Sequence, residues 1–286
     1  MFIDEDRGTD ETLSEIGEIL KPHNIPFIQH RIANKVNNFF QPGSKVTGSS
    51  GYGTLGGFVW GTCQYSAEQK LDVTDEAPTE RTLCALLSGH VSRLLPGKKL
   101  NVDDNCIGQV MDPPLKRDND LDIAAAIIDK AFAPRCVIMF KDDKGNRKSG
   151  KLYDSGSNDP SFLPTIVHLY GAKTVLGLGE ILLKKFSFKS CLDGNESDDG
   201  KFMLLTDRKP FSGELCCRYG DSGAIVCAND KRGKFVLPIA MIIGEIESKT
   251  TNENRYLAVQ LYSGLEQMSL RYNLQFSLCE EHVANT

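Results

Sequence analysis

From about residue 51 onward, no hydrophobic pattern in this chain lasts long enough to build a helical domain. Short apolar runs at 55–60, 82–88, 107–110, 123–128, 136–140 and 165–170 are parted by polar, glycine-rich turns. The same texture continues at 175–183, 202–206, 224–227, 235–246 and 256–259. About eleven short strands with few helical stretches between them predict an all-β sandwich or barrel and argue against βαβ units. The 26 glycines among 286 residues suit such a turn-rich chain. Two stretches depart from the pattern. Leu13, Ile16 and Leu20 share one helical face, with Thr12 and Glu15 spaced as a capping box and Pro22 as a stop. Near the other end, Leu261, Leu265 and Met268 fit a closing helix. Polar stretches at 64–81, 141–161 and 187–200 read as surface loops. The expected organisation is an N-terminal helical extension over 1–45 and a body over 46–286.

Composition excludes several classes. Hydrophobic residues make up 40% and charged residues 25%, enough apolar material for a core without disulfides or a structural metal. Lys and Arg number 33 against 38 Asp and Glu, a net charge of −5 without the basic excess of a nucleic-acid binder. No stretch approaches the roughly 18 consecutive apolar residues of a membrane span. The acidic opening MFIDEDRGTDET has neither the basic nor the apolar region of a secretory signal. Nine cysteines, an odd number with no Cys-x-x-Cys pair, suit reduced thiols. The expectation is a cytoplasmic protein with no nucleic-acid and no membrane partner. Three motif matches fail on context. Gly51, Gly53 and Gly56 satisfy the dinucleotide pattern, but a strand follows them where a helix is required. Cys216, Cys217 and Cys227 have no zinc-ligand spacing. Asp193 with Ser197, Asp198 and Asp199 lacks the rest of a calcium loop. No metal and no cofactor is expected.

Three short segments carry residue types that do chemistry. Gly220-Asp221-Ser222-Gly223 precedes an apolar run at once, which sets a serine on a tight turn whose glycines let backbone amides converge. Taken alone, it also reads as a plain surface turn. Leu86-Leu87-Ser88-Gly89-His90 ends an apolar strand in a histidine, a residue able to act as a base near neutral pH. Most lone histidines of this kind are structural. Asp122 opens the apolar run Ile123-Ala124-Ala125-Ala126, with Asp118 and Asp120 just before it as competitors for the same role.

Taken together, His90, Asp122 and Ser222 form an order that resembles the chymotrypsin-like serine peptidases. Gly53-Thr54-Leu55-Gly56-Gly57-Phe58-Val59 resembles the strand that precedes the histidine strand in that family. Val167-His168-Leu169-Tyr170-Gly171-Ala172-Lys173-Thr174 resembles the opening of its second barrel, and residues 237–244 the strand lining its primary specificity pocket. The likeness covers roughly residues 50–272. It implies two six-stranded antiparallel β-barrels, over about 46–160 and 161–286, with the site in the cleft between them. It further implies Ser222 as nucleophile, His90 as general base and Asp122 as the group that orients the imidazole. Asp122, followed directly by Ile123-Ala124, matches the family pattern better than Asp118 or Asp120. The amides of Gly220 and Ser222 would form the oxyanion hole, and Cys216 and Gly244 would contact the substrate. With Cys216 at the pocket base, a small or apolar P1 residue is expected.

Departures from the family are as informative. Val91 stands where secreted relatives carry a paired cysteine. Arg31-Ile32-Ala33-Asn34 only faintly echoes the new N-terminus that activates zymogens by pairing with the acid before the nucleophile, so Asp221 needs another partner. The expected activity is a serine endopeptidase acting on protein or peptide substrates. The alternatives are a catalytically silent interaction module of the same fold and a self-processing protease domain.

Overall fold

Residues pointing to opposite faces of a strand can serve two different cores, and the apolar runs of this chain are continuous because both faces are used. The structure is a computed structural model that describes residues 39–63, 81–112, 121–153, 164–186, 201–209, 216–246 and 253–279. The described residues all fall within one unit, Phe39–Thr286. The helix expected over 9–20 lies outside the described residues, as do Asp118, Asp120, Asp193 and Cys191.

The first half supplies β1 (Lys45–Thr47), β2 (Tyr52–Thr54), β3 (Gly57–Cys63), β4 (Arg81–Ser88), the short helix α1 (Gly89–Arg93), β5 (Lys99–Val102), β6 (Asn105–Val110) and β7 (Ile123–Ile128). A two-stranded hairpin follows, β8 (Phe140–Lys141) with β9 (Arg147–Lys148). The second half supplies β10 (Ile166–Leu169), β11 (Gly177–Phe186), β12 (Phe202–Asp207), β13 (Ile225–Asn229), β14 (Val236–Ile246) and β15 (Arg255–Gln260). Helix α2 (Leu261–Tyr272) and β16 (Leu274–Leu278) end the described chain. Strands β10-β11-β12-β15-β14-β13 close into an antiparallel barrel. The first sheet, in the order β16-β3-β4-β7-β6-β5-β1-β2, has eight strands and is not closed by pairing.

Strand alternation partitions the interior into three cores. Leu83, Ala85 and Leu87 of β4 join Val46, Leu55, Phe58 and Ala126 within the first sheet. Cys84 and Leu86, one residue out of phase, face the other way. They join Ile123 and Ala125 of β7, Ile225 and Cys227 of β13, and Leu261, Leu265 and Met268 of α2. Val226 and Ala228, out of phase on β13, fill the closed barrel with Val167, Leu205, Ile239 and Tyr256. The shared middle core fixes the two sheets against each other.

Two features of the first sheet differ from the expected six strands. Asn273 takes a left-handed conformation, φ 54°, at the end of α2, a common helix stop for this residue. The chain then returns as β16 and pairs with β3 from Leu274↔Cys63 to Leu278↔Val59. The β1–β2 hairpin extends the opposite edge. The strand expected at 136–140 is mostly irregular: Cys136 makes only an isolated bridge to Phe40, and regular pairing begins at Phe140.

Candidate active site

The register of β4 on β7 brings the histidine and the carboxylate together. Ser88 pairs with Ile123, so the next step of the ladder sets Gly89 opposite Asp122, and the Gly89 amide donates to the Asp122 carbonyl at 3.0 Å. A Cβ on Gly89 would lie 2.8 Å from Asp122 Oδ1, so a larger residue there would push the carboxylate from its place. His90 then receives both carboxylate oxygens. Its backbone N–H donates to Oδ1 at 2.8 Å, and its Nδ1 meets Oδ2 at 2.5 Å. That hydrogen bond leaves Nε2 as the ring nitrogen free to handle a proton. Arg93 Nη2, one turn along α1, also reaches Asp122 Oδ1 at 3.5 Å. The strand entry is braced from behind: Gln267 Oε1 accepts from the Leu121 amide at 2.6 Å, and Arg271 donates to the Ile123 carbonyl at 3.3 Å.

Ser222 sits on a turn whose backbone needs both flanking glycines. Gly220 and Gly223 have φ of 99° and 100°, and a Cβ at either would strike Tyr52 or the Thr54 carbonyl. The turn is locked to β14 by the Gly223 amide, 2.8 Å from the Ile242 carbonyl, and to β2 by the Thr54 amide, 2.9 Å from the Ser222 carbonyl. Among the described residues, the amides of Gly220 and Ser222 donate to no protein acceptor. The Ser222 hydroxyl donates to the Ile243 carbonyl at 3.5 Å, and no hydrogen bond joins it to His90.

Asp221, fully buried, accepts four hydrogen bonds on its side chain from three residues. The amides of Lys173, Thr174 and Arg218 donate to its carboxylate at 2.8, 3.2 and 2.8 Å, and the Thr174 hydroxyl at 2.5 Å. The loop after β10 and the Arg218 amide thus hold the turn in shape around an internal carboxylate. Gly171 makes room for it, since a Cβ there would come within 2.2 Å of Asp221 Oδ1.

Of the two expected substrate contacts, Gly244 lies on an open stretch of β14, with no atom within 4 Å of the place a Cβ would take. Cys216 is fully buried instead. A Cβ on Gly179 would come 2.5 Å from its Sγ, and its amide donates to Asp207 at 2.6 Å. Burial pushes its thiol up to about 12, with Asp207 and Asp221 adding to the effect. Asp207 is itself saturated by Asn254 and the Tyr256 hydroxyl. Sequence reasoning missed Thr54, Thr174, Gln267 and Arg271. The first two fall inside quoted motifs. The helix pair Gln267 and Arg271 gives no local signal, because its targets lie more than half the chain away.

No family model matches the chain, and no curated protein matches it in sequence. Among solved structures, a glutamic-acid-specific serine protease that uses a histidine triad in substrate binding aligns with a TM-score of 0.50 at 11% identity. The match spans 80% of this chain and 97% of that one. The fold is that of the chymotrypsin-like serine proteases. A Nocardiopsis protease aligns at 0.49 and 13% identity over 83% and 98% of the two chains. Protease A of Thermobifida fusca aligns at 0.49 and 15% identity over 84% and 99%. His90 follows β4 and Asp122 precedes β7 of the first sheet, whereas Ser222 lies on the turn before β13 of the closed barrel.

Proposed function

We propose that this chain is a serine endopeptidase. The observation that carries the reading is the double grip of Asp122 on His90, at backbone and ring, which fixes the tautomer that a general base requires. In the proposed reaction the Ser222 hydroxyl swings from the Ile243 carbonyl to His90 Nε2 and gives up its proton there as Oγ attacks the scissile carbonyl. The oxyanion that forms is received by the Gly220 and Ser222 amides. His90 returns the proton to the leaving amine, and a water deprotonated by His90 then hydrolyses the acyl-enzyme on Ser222. Gly244 offers an open stretch of β14 to the acyl half of the substrate.

A fluorophosphonate probe tests the reading. The wild-type protein is expected to be labelled and Ser222→Ala to remain unlabelled. Asp122→Asn is expected to lower kcat/KM on the order of 10^4-fold by favouring the wrong tautomer. The hydrogen bond from Ser222 to Ile243 favours a second reading, a silent module of the same fold. Folded wild-type protein that resists the probe would establish that second reading.

A further inference from the structure

One flank of the nucleophile turn carries positive charge that no carboxylate among the described residues answers. Tyr52 of β2 lies so close over Gly220 that a Cβ there would come within 2.1 Å of its ring. Tyr219, the residue before Gly220 and largely exposed, meets the same ring edge-on with centroids 6.2 Å apart. Lys45 Nζ and Lys173 Nζ each stand 5.2 Å from the Tyr52 ring centroid. Both lysines are exposed, and their only side-chain partner among the described residues is this ring. A ring face attracts an ammonium group without neutralising it. Tyr52 thus gathers two cations beside the amide expected to receive the oxyanion.

On the endopeptidase reading, a bound substrate is taken to run between the two strands that flank Ser222. A peptide whose carbonyl oxygen points at the Gly220 and Ser222 amides passes between β14, beside Ile243 and Gly244, and β2, beside Tyr52. With its acyl half along β14, its leaving half runs past Tyr52. Charge differs between the flanks: Glu245 is exposed at the β14 side, and Lys45 and Lys173 lie at the β2 side.

We propose that Lys45 and Lys173, gathered on Tyr52, form a subsite that selects an acidic residue at the first or second position after the scissile bond. The proposal rests on the endopeptidase reading. The carboxylate of such a residue replaces water between two ammonium groups that are already in place, whereas a lysine at the same position meets like charge.

The test uses internally quenched peptides with one fixed acyl-side sequence and Glu, Ala or Lys at each of the two positions after the scissile bond. At low ionic strength the expected preference for Glu over Lys in kcat/KM is about three- to tenfold, shrinking as salt is added. Lys45→Gln and Lys173→Gln are each expected to reduce that ratio, and the double variant to bring it near one. Lys144→Met, on the β8–β9 turn, is expected to leave it unchanged. Equal rates for Glu and Lys, a preference that survives the double variant, or an acidic preference on the acyl side would each overturn the subsite. Fluorophosphonate labelling run on every sample separates the two levels. A labelled, peptide-cleaving enzyme without the preference refutes only the subsite, whereas an unlabelled wild type refutes the endopeptidase reading and the subsite with it.

Discussion

Thr54 makes three hydrogen bonds that join both halves of the cleft. Its hydroxyl donates to the Gly220 carbonyl at 3.0 Å and accepts from the Ala172 amide at 2.9 Å, while its own amide holds the Ser222 carbonyl. Thr54→Val keeps the shape and strands a buried acceptor and donor, so a loss of about 1–3 kcal/mol in denaturant unfolding is expected. Thr54→Ser should recover most of it, and slower fluorophosphonate labelling of the valine variant would show that the turn has loosened. Ser88 presents the opposite case a few residues from His90. Its buried hydroxyl has no hydrogen-bond partner. Ser88→Ala removes an unsatisfied group and is expected to be neutral or stabilising by up to about 1 kcal/mol in the same assay. A clear destabilisation would mean that the hydroxyl has a partner in solution.

At the β8–β9 hairpin and the β10 residues packed on it, two groups make stability depend on acid. Burial pushes the Asp142 carboxyl up, but the Lys148 ammonium at 2.8 Å, the Asn146 amide and side chain and the Lys144 amide outweigh it and hold the group well below the usual carboxylate range. His168 packs beside Tyr170, which donates to the Asp142 carbonyl, and its Nε2 donates to the Lys141 carbonyl. Burial holds this imidazole below its ordinary value, against the raising effects of that bond and of Asp143 and Asp142. Both shifts leave the unfolded chain binding more protons than the folded one as the pH falls. Stability should therefore decline first below about pH 6.5 through His168 and again below about pH 4 through Asp142. Unfolding free energies measured against pH are expected to lose the first slope in His168→Gln and the second in Asp142→Asn. Element by element, the sequence was readable where one residue's neighbours decide the outcome. The run 123–128 became β7 without change, and Leu261, Leu265 and Met268 mark the buried face of α2. At 136–140 the apolar content was real, but the partner for a ladder was missing apart from Phe40. His90, Asp122 and Ser222 could be singled out in advance because each lies beside a strand end. The cradle around Asp221 could not, since its donors are mostly backbone amides of a distant loop and amides have no sequence signature.

Across the whole molecule, the thiols follow burial. All eight described cysteines are free; Cys63 and Cys106 are exposed, whereas Cys84, Cys216, Cys217, Cys227 and Cys279 are buried. Burial pushes Cys84 and Cys279 up to about 12, and Cys217 and Cys227 still higher. Iodoacetamide at mildly alkaline pH is thus expected to modify Cys63 and Cys106 in the native protein and spare the buried five, as read by peptide mass mapping. Rapid alkylation of Cys216 or Cys217 would contradict the packing behind the cleft. The pairing of β16 with β3 has a consequence of another kind. A ribosome emits β3 early and its edge partner about three quarters of the chain later, and the Gln267 and Arg271 braces of the Asp122 strand arrive in that same final stretch. While synthesis proceeds, the first sheet keeps an open edge and the histidine–aspartate half of the site lacks its support. Contacts this distant also make for slow folding. The Asp122 strand would therefore gain its full bracing only once this last stretch has been made.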